Sequence, residues 1–425
     1  MAPCPVGRAR RFRGAGRHGH GFPHVAGVPE INRRELLASS AAVAMTVGGG
    51  AALAQDSQNN VSVDANPQVD QQNPDLTKPP STDSGLLPNL KFSFDTAHTH
   101  VTTGGWARQV TIQEMPIAKA MAGVDMHLEP GGIRELHWHS SAEWAYMLAG
   151  TARITAVDAD GQNFIDDVGV GDLWFFPAGI PHSIQGLKDG CEFLLVFDDG
   201  NFSEFDTFQI SEWFALTPPD VLAKNLGVPK AAFAQIPQRP ATERYMFPGK
   251  VPPPLSSDAV RSPFGSVPNT FRYRLSAQKA TGYQGGSVKI ADSTNFHAST
   301  TIAAALVEIR PGGMRELHWH PTSDEWQYYI SGTGRMTVFA AESMANTFNY
   351  QAGDVGYVPT PMGHYIENTG KRPLRFLEIL RTNRFTSVSL DQWMALTPPE
   401  LVRQTLNLDR RTTGVLNKRQ PVVVG

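Results

Sequence analysis

Apolar and polar residues alternate along much of the chain, in short segments separated by turns that contain Gly and Pro. Clear examples begin near Thr151, Asp172 and Cys191. Alternation with a period of two places apolar side chains on one face of a strand, so the pattern predicts antiparallel strands around a core. The 39 Gly and 32 Pro residues also suit many short strands better than long helices. We therefore expect an all-β fold.

The chain repeats itself at an interval of 180 to 182 residues. The segment PGGIRELHWH from Pro130 recurs as PGGMRELHWH from Pro311, and WFALTPPD from Trp213 recurs as WMALTPPE from Trp393. Two homologous domains with about a dozen short strands each fit two tandem jelly-roll barrels of the double-stranded β-helix type. The repeated W-x-A-L-T-P-P segments predict a short helix after each barrel, with proline in its first turn.

The boundaries of the repeat and its flanks divide the chain into five parts. Residues 1–54 hold Arg33-Arg34, a short apolar stretch and a small-residue cleavage site ending at Ala54, which together resemble a twin-arginine signal peptide. We therefore expect export, to the periplasm or the medium, and no membrane segment in the mature protein. The remaining parts are a polar arm (55–80), a first barrel domain (81–237), a Pro-rich linker (238–257) and a second barrel domain (258–425).

Charge and cysteine content narrow the possible partners. The formal net charge is −3, and the first 54 residues hold seven basic and only two acidic side chains, so the rest of the chain is more acidic than the whole. This balance disfavours nucleic acid and anionic membranes, and an anionic substrate would need a nearby arginine or metal ion. Cys4 lies in the predicted leader, so the body has only Cys191, which we expect to be a buried structural residue.

Each repeat contains three histidines and one glutamate in the same order. Two histidines separated by one residue on a strand point to the same face, here the barrel interior. Three imidazoles and one carboxylate could hold manganese, iron, nickel, copper or zinc, and leave two octahedral positions open. The first set is His137, His139, Glu143 and His182, and the second is His318, His320, Glu325 and His364.

The spacing of these residues resembles the two cupin motifs, G-x5-H-x-H-x3–4-E-x6-G and G-x5-P-x-G-x2-H-x3-N. The first motif is complete in both repeats, whereas the second has Gly186 in place of Asn and altered spacing before His364. From about Asn73 to Leu406 the chain is similar to bicupin oxalate decarboxylases. The resemblance implies two Mn(II) ions per chain, dioxygen as co-catalyst, conversion of oxalate to formate and carbon dioxide, and a homo-oligomer, either a trimer or a hexamer.

Arg134 and Arg315 each precede the first histidine ligand of their set by three positions. A guanidinium fork could hold a substrate carboxylate. Strict strand alternation would instead place Glu135 and Glu316 on the ligand face, unless a bulge near the preceding Gly-Gly shifts the register. The resemblance implies that the arginine contacts the substrate.

Two further glutamates distinguish the repeats. Glu204 lies in FSEFDTF from Phe202, opposite Arg384, and the resemblance implies a lid segment whose glutamate handles a proton. The usual S-E-N-S of that segment is here Ser203-Glu204-Phe205-Asp206, and a solvated surface glutamate is the alternative. Glu378 stands where the first repeat has Val196, as a second proton-handling candidate or a structural residue. We expect catalysis mainly in the first domain.

Three other functions share parts of this pattern. An oxalate oxidase would use the same ligands but release hydrogen peroxide and carbon dioxide, and the altered neighbours of Glu204 keep it open. Another oxygen-dependent cupin, such as a flavonol or diketone dioxygenase, fits Arg134 less well, and a non-enzymatic storage or binding bicupin fits two complete ligand sets less well. Trp138 and Trp319 lie between paired histidines, so they should face away from the metal and pack at a surface.

Overall fold

The computed structural model describes residues 66–203, 207–237 and 245–425, and Val63–Gly425 form one compact unit. The predicted leader lies outside these residues. The N-terminal elements are α1 (Pro67–Gln72), α2 (Pro74–Thr77) and β1 (Lys91–Ser93). The strands of the first domain are β2 (Thr99–Thr102), β3 (Gly105–Val110), β4 (Ala122–Leu128), β5 (Ile133–Trp138), β6 (Glu143–Val157), β7 (Asn163–Gly169), β8 (Leu173–Phe176), β9 (His182–Phe197), β10 (Phe208–Gln209) and β11 (Met246–Phe247).

The second domain follows the same order of elements. The first domain ends with α3 (Ile210–Leu216) and α4 (Pro219–Leu226), and α5 (Leu255–Asp258) precedes the strands of the second domain. The later strands are β12 (Arg272–Tyr273), β13 (Thr281–Tyr283), β14 (Gly286–Ala291), β15 (Ala303–Ile309), β16 (Met314–Trp319), β17 (Glu325–Ser331), β18 (Thr333–Ala340), β19 (Met344–Gln351), β20 (Asp354–Val358), β21 (Gly363–Asn368), β22 (Leu374–Leu380), β23 (Val388–Ser389) and β24 (Val423–Val424). The last helices are α6 (Leu390–Ala395), α7 (Pro399–Leu406) and α8 (Arg410–Gly414).

Antiparallel sheets dominate both domains, which confirms the predicted all-β fold with two jelly rolls and short helices. The first domain is one 11-stranded sheet, and the second is a 7-stranded and a 6-stranded sheet. The long strands β6 and β9 run through both faces of the first domain and pair with each other along most of their length. Helices α4 and α7 begin at Pro219 and Pro399, where a missing backbone N–H costs nothing.

Each domain takes one strand from the chain segment that precedes the other. Strand β1 pairs with β20 of the second domain, and β12 pairs with β8 of the first. Phe94, directly after β1, packs edge-on against Trp326 and Tyr328, with ring centroids 6.5 and 5.9 Å apart. Gly123 faces the same indole, and a Cβ there would lie 2.3 Å from the Trp326 ring. These two exchanged strands join the jelly rolls through backbone pairing, and the aromatic contacts give the two domains a shared core.

The described parts of the predicted arm and linker are also held by hydrogen bonds. In the arm, the backbone N–H of Asp75 donates to Asn349 Oδ1 at 2.9 Å. Directly after the arm, Asp83 accepts from the Thr347 hydroxyl at 2.8 Å. Strand β11, within the predicted linker, pairs with β5 opposite Ile133 and Arg134. Across the residues that the structure describes, no helix is long and apolar enough to cross a membrane.

Candidate metal centres

The four predicted ligands of the first domain meet inside the jelly roll. His137 is on β5 and His139 follows that strand, while Glu143 begins β6 and His182 begins β9. All four side chains are buried, and their candidate ligand atoms lie within 4.8 Å of one another. Register pairing places His137 directly opposite His182, so two strands bring the histidines together before any ion is added.

The second domain builds the same arrangement from equivalent strands. His318 and His364 are paired across β16 and β21, and Glu325 begins β17. His320 completes the set, and the four buried residues again offer ligand atoms within 4.8 Å of one another. Both sets assembled from spacing alone are therefore contiguous in space.

The tautomer of all six histidines is fixed by the backbone. Each Nδ1 lies within hydrogen-bond distance of a carbonyl oxygen, and because a carbonyl can only accept, Nδ1 must carry the proton. The lone pair of each neutral ring is therefore on Nε2, the nitrogen that faces the cavity. The Nδ1–O distances are 2.5 Å for His137 to Glu135, 2.7 Å for His139 to Ser141, 2.8 Å for His182 to Ile180, 2.7 Å for His318 to Glu316, 2.6 Å for His320 to Thr386 and 3.2 Å for His364 to Met362.

Burial keeps several of these rings neutral. It lowers the pKa of His137, and nearby Arg134 lowers it further, while burial and Arg315 have the same effect on His318. Burial also lowers the pKa of His182. The Nε2 atoms of His182, His318 and His320 are buried without a hydrogen-bond partner. A buried lone pair without a donor is costly, and a metal ion would satisfy it.

The two glutamates present one oxygen to the histidines and the other to the protein. Glu143 Oε2 lies 3.3 Å from His139 Nε2 and 3.4 Å from His182 Nε2. Glu143 Oε1 accepts a hydrogen bond from the indole of Trp174 at 2.9 Å. In the second domain Glu325 Oε1 accepts from Gln327 at 2.7 Å.

These donor sets fit a divalent ion with open coordination positions. Three imidazoles with Nε2 toward the cavity and one carboxylate supply four ligands in each domain, with the tautomers and carboxylate orientations already set. An octahedral ion held in this way would keep two positions for a small chelating ligand. His137, His139, Glu143 and His182 would hold one ion, and His318, His320, Glu325 and His364 the other.

A β-bulge in each domain turns the predicted arginine toward the ligands. The pairing of β5 with β9 shifts between Arg134 and His137, and that of β16 with β21 shifts between Arg315 and His318. The extra residue puts the arginine on the same face as the histidine three positions later. Glu135 and Glu316 accordingly point the other way: Glu135 accepts the backbone N–H of Ser211 at 2.7 Å.

The two buried arginines have different surroundings. Arg315 Nε donates to both carboxylate oxygens of Glu378, at 3.0 and 3.4 Å. Arg134 instead lies over the ring of Tyr245, with Cζ 3.7 Å from the ring centroid, and donates to the Tyr245 carbonyl at 3.3 Å. Within the described ranges no carboxylate pairs with Arg134. The strand register corrects the predicted equivalence of Glu378 and Val196: Glu378 is paired with Gln327, and its counterpart, paired with Ala145, is Leu195. Among the described residues, the charge of the arginine is therefore neutralised by a carboxylate in the second cavity and not in the first.

The other predicted residues lie away from the ligand sets or outside the described residues. Trp138 stacks on Phe208 with ring centroids 5.6 Å apart, and Trp319 packs edge-on against Trp393, so both indoles are directed away from the ligand sets. Cys191 is a free buried cysteine, and burial raises the pKa of its thiol to about 12. Glu204, Phe205 and Asp206 lie outside the described residues, so the role of Glu204 stays a prediction.

Sequence reasoning missed three residues that contact the site. Tyr245 lies in the segment predicted as a linker, and no motif marks it. Trp174 and Gln327 support the ligand carboxylates from behind. The sequence does mark Trp174 and Gln327, because the two repeats differ at these positions. Trp174 aligns with Gly356, and Gln327 aligns with Ala145.

A jelly roll that holds three imidazoles and one carboxylate in this order defines the class of cupins. The cupin family model matches the chain twice, over residues 92–232 and 273–414. These two matches cover both sets of metal ligands and most of both domains.

The chain belongs to the bicupin oxalate decarboxylase family, which confirms the resemblance seen in the motifs. It is 54% identical over 369 residues to oxalate decarboxylase OxdC of Bacillus subtilis (strain 168), covering 87% of this chain and 95% of the relative. A probable oxalate decarboxylase of Arthroderma benhamiae is 42% identical over 84% of this chain and 89% of its own length. A solved structure of the Bacillus subtilis enzyme, concerned with its Mn(II) centres, superposes with a TM-score of 0.83 over 86% of this chain and 96% of that one.

Proposed function

We propose that this protein is a manganese-dependent oxalate decarboxylase that converts oxalate to formate and carbon dioxide, with dioxygen as co-catalyst and turnover in the first domain. The observation that carries the choice of domain is the contrast between the arginines. Arg134 is buried beside the first ligand set with no carboxylate partner among the described residues, whereas Arg315 is bound to Glu378. An incoming oxalate would have to displace a buried ion pair in the second domain but not in the first.

Manganese, when bound, supplies adjacent coordination positions for a chelating dicarboxylate and stabilises its negative charge. The first set of ligands supports this assignment because its three imidazoles are oriented with Nε2 toward the cavity. Solved structures of a relative that is 54% identical concern Mn(II) centres, which supports manganese over iron, nickel, copper and zinc. The corresponding set in the second domain supports two ions per chain.

Arg134 binds and orients the substrate. Its guanidinium is held against the Tyr245 ring, so its direction is set before oxalate arrives. A planar fork matches a carboxylate and favours the mono-anion over a neutral acid. The hydrogen bond to the Tyr245 carbonyl uses Nη1 and leaves other N–H groups for the substrate.

Glu204 carries the proton in this proposal. Cleavage of the carbon–carbon bond releases carbon dioxide, and the electron pair left on the remaining carbon takes up a proton to give formate, so the reaction consumes no net oxidant. Glu204 accepts the proton of the bound mono-anion and returns it to carbon. The support is the resemblance of Ser203-Glu204 to the proton-handling segment of the family.

The test is to incubate the manganese-loaded protein with oxalate near pH 5, with and without air, and to measure formate and hydrogen peroxide per oxalate consumed. We expect nearly one formate per oxalate, little peroxide, and no turnover without dioxygen. Dominant peroxide would assign an oxalate oxidase instead. Loss of no oxalate by a manganese-loaded sample would contradict the enzymatic proposal and favour a binding bicupin.

Glu204→Ala should suppress formate, since Glu204 is the group proposed to return the proton to carbon, while Glu129→Ala serves as a control for loss of an exposed carboxylate. Full formate production by Glu204→Ala would remove Glu204 from the mechanism. A matched loss in the Glu129 control would show that the effect is not specific to position 204.

The proposal includes a homo-oligomer, a trimer or a hexamer. Its support is the apolar face that each domain exposes on its first helix: Trp213 and Leu216 are 62% and 60% exposed, and Trp393 and Leu396 are 58% and 64% exposed. Contiguous exposed apolar side chains favour contact with another subunit. Light scattering should give a mass of three or six chains, and Leu216→Asp should lower it.

Export by the twin-arginine route is the last part of the proposal, and it rests on Arg33-Arg34 and Ala54. Cell fractionation should find a mature protein that starts at Gln55 outside the cytoplasm. Replacement of both arginines by lysine should retain the full-length chain inside the cell. Export that is unaffected by this change would contradict the assignment.

A further inference from the structure

The buried groups behind the second metal site form a chain of hydrogen bonds. Glu325 Oε2 lies 2.9 Å from both His320 Nε2 and His364 Nε2, so this oxygen faces the ion site. The other oxygen accepts from Gln327 Nε2 at 2.7 Å, and Gln327 Oε1 accepts from the Tyr329 hydroxyl at 2.9 Å. Glu325, Gln327 and Tyr329 occupy alternate positions on β17, so their side chains share one face of the strand.

The direction of this chain is determined by its first member. An ionised carboxylate only accepts hydrogen bonds, so the amide nitrogen of Gln327 must face Glu325 and the amide oxygen must face Tyr329. The phenol is then the donor. Tyr329 is itself held in place by stacking on Tyr350 and Phe376, with ring centroids 4.3 and 5.3 Å away. All three members of the chain are fully buried.

A glycine on the neighbouring strand provides the space for the amide. Gly356 is paired with Gln327, and a Cβ there would lie 2.5 Å from Gln327 Oε1. In the first domain the equivalent pair is Trp174 and Ala145, in the same register. The large residue of the pair is Trp174 on β8 in the first domain and Gln327 on β17 in the second, and the small residue lies on the neighbouring strand. In both domains the large side chain donates one N–H to the glutamate oxygen that faces away from the histidines.

We propose that Gln327 and Tyr329 are positioning residues for the metal ion of the second domain. Gln327 holds the Glu325 carboxylate so that Oε2 faces the ion, and Tyr329 holds the amide in the orientation that lets it donate. Hydrogen bonds of this outer kind typically contribute 10- to 100-fold in metal affinity. The inference concerns metal binding and does not depend on which domain turns over oxalate.

The test measures Mn(II) bound per chain after dialysis of the full-length protein against a series of free Mn(II) concentrations. Gln327→Leu removes the N–H and leaves Glu325 Oε1 buried without a donor. We expect about 10- to 100-fold weaker binding at one of the two sites. Adding His137→Ala should then abolish the remaining tight site, which shows that the weakened site is in the second domain. Failure of the oxalate assay by the parent protein would be a separate result, because this experiment uses no substrate.

Tyr329→Phe keeps the bond between Gln327 and Glu325 but removes the group that orients the amide, so a smaller loss of affinity is expected. Gly356→Ala crowds the amide without altering any polar group and should act in the same direction. Tyr350→Phe is the matched control, because it removes a phenol from the same ring stack but not from the chain, and should leave Mn(II) affinity unchanged.

Two results would overturn the inference. One is Mn(II) affinity in Gln327→Leu equal to that of the parent. The other is a purely structural effect, in which the variants melt at a lower temperature without metal but keep the full increase in melting temperature that Mn(II) gives the parent. If Gln327→Leu does not fold, Tyr329→Phe and Gly356→Ala decide between the same outcomes. The Mn(II) electron paramagnetic resonance spectrum should also change for one site only.

Discussion

Replacing Arg315 by methionine should destabilise the protein strongly at neutral pH. Arg315 and Glu378 form a fully buried ion pair with 3.0 Å between Nε and Oε1. At an effective dielectric constant of about 20, two unit charges at this distance attract by roughly 5 kcal/mol. Removing one member of such a pair typically costs about 3–5 kcal/mol, because the other charge stays buried without a partner. We therefore expect Arg315→Met to lower the free energy of unfolding by about 3–5 kcal/mol near pH 8.

The pH dependence of this loss follows from the remaining carboxyl group. Burial raises the pKa of Glu378, the Arg315 guanidinium opposes that rise, and Glu325 adds to it. Without Arg315 the pKa of Glu378 should rise further, so the folded variant takes up a proton that the unfolded chain does not hold. The stability lost by Arg315→Met should consequently shrink as the pH falls from 8 toward 5.

Urea unfolding with saturating Mn(II) would measure these changes. Arg315→Met/Glu378→Leu should recover most of the lost stability, because both charges are then absent. Arg403→Met is the control, since Arg403 pairs with the exposed Glu400 on α7 and its loss should leave the free energy of unfolding close to that of the parent. A cost below about 1 kcal/mol for Arg315→Met, or a double variant as unstable as the single one, would refute the ion-pair argument.

Three further predictions test the first domain and the metal sites. Burial, assisted by Glu192, raises the pKa of Asp125 from 3.8 to about 7. The folded state therefore binds the carboxyl proton of Asp125 more tightly than the unfolded chain does. The free energy of unfolding should fall as the pH rises from 3.8 to about 7. Asp125→Asn should flatten that slope in urea titrations and be more stable than the parent at pH 8; an unchanged slope would contradict it. Arg134→Lys keeps the charge but loses the fork, and steady-state kinetics should show kcat/KM for oxalate reduced by about 10- to 100-fold, whereas an unchanged value would exclude substrate contact. Removal of metal with a chelator at pH 7.5 should lower the melting temperature, because buried Nε2 atoms lose their partner, and added Mn(II) should restore it.

The ligand sets could be predicted from sequence because each depends on short, regular spacing. His137 and His139 lie two positions apart at the end of one strand, and strand geometry alone gives them a common face. The duplicated order then identified His318 and His320 without any further information. The same alternation rule could not place Arg134, because the bulge between Arg134 and His137 adds one residue on β5.

Features that depend on contacts between distant parts of the chain could not be predicted. The pairing of β1 with β20 joins residues more than 250 positions apart, and nothing in either segment specifies its partner. Tyr245 reaches Arg134 only because β11 pairs with β5. Glu378 was expected to be either a proton carrier or a structural residue, and its contact with Arg315 supports the structural role.

The positions where the two repeats differ carry more functional information than the positions where they agree. Both domains keep three histidines and one glutamate, so the ligands alone do not distinguish the sites. The difference lies in the residues around the ligands, where the first domain has Leu195 in place of Glu378 and Arg134 has no carboxylate partner among the described residues. Because an unpaired buried cation attracts an anion more strongly than a paired one, this difference supports the proposal that oxalate binds in the first of the two similar cavities.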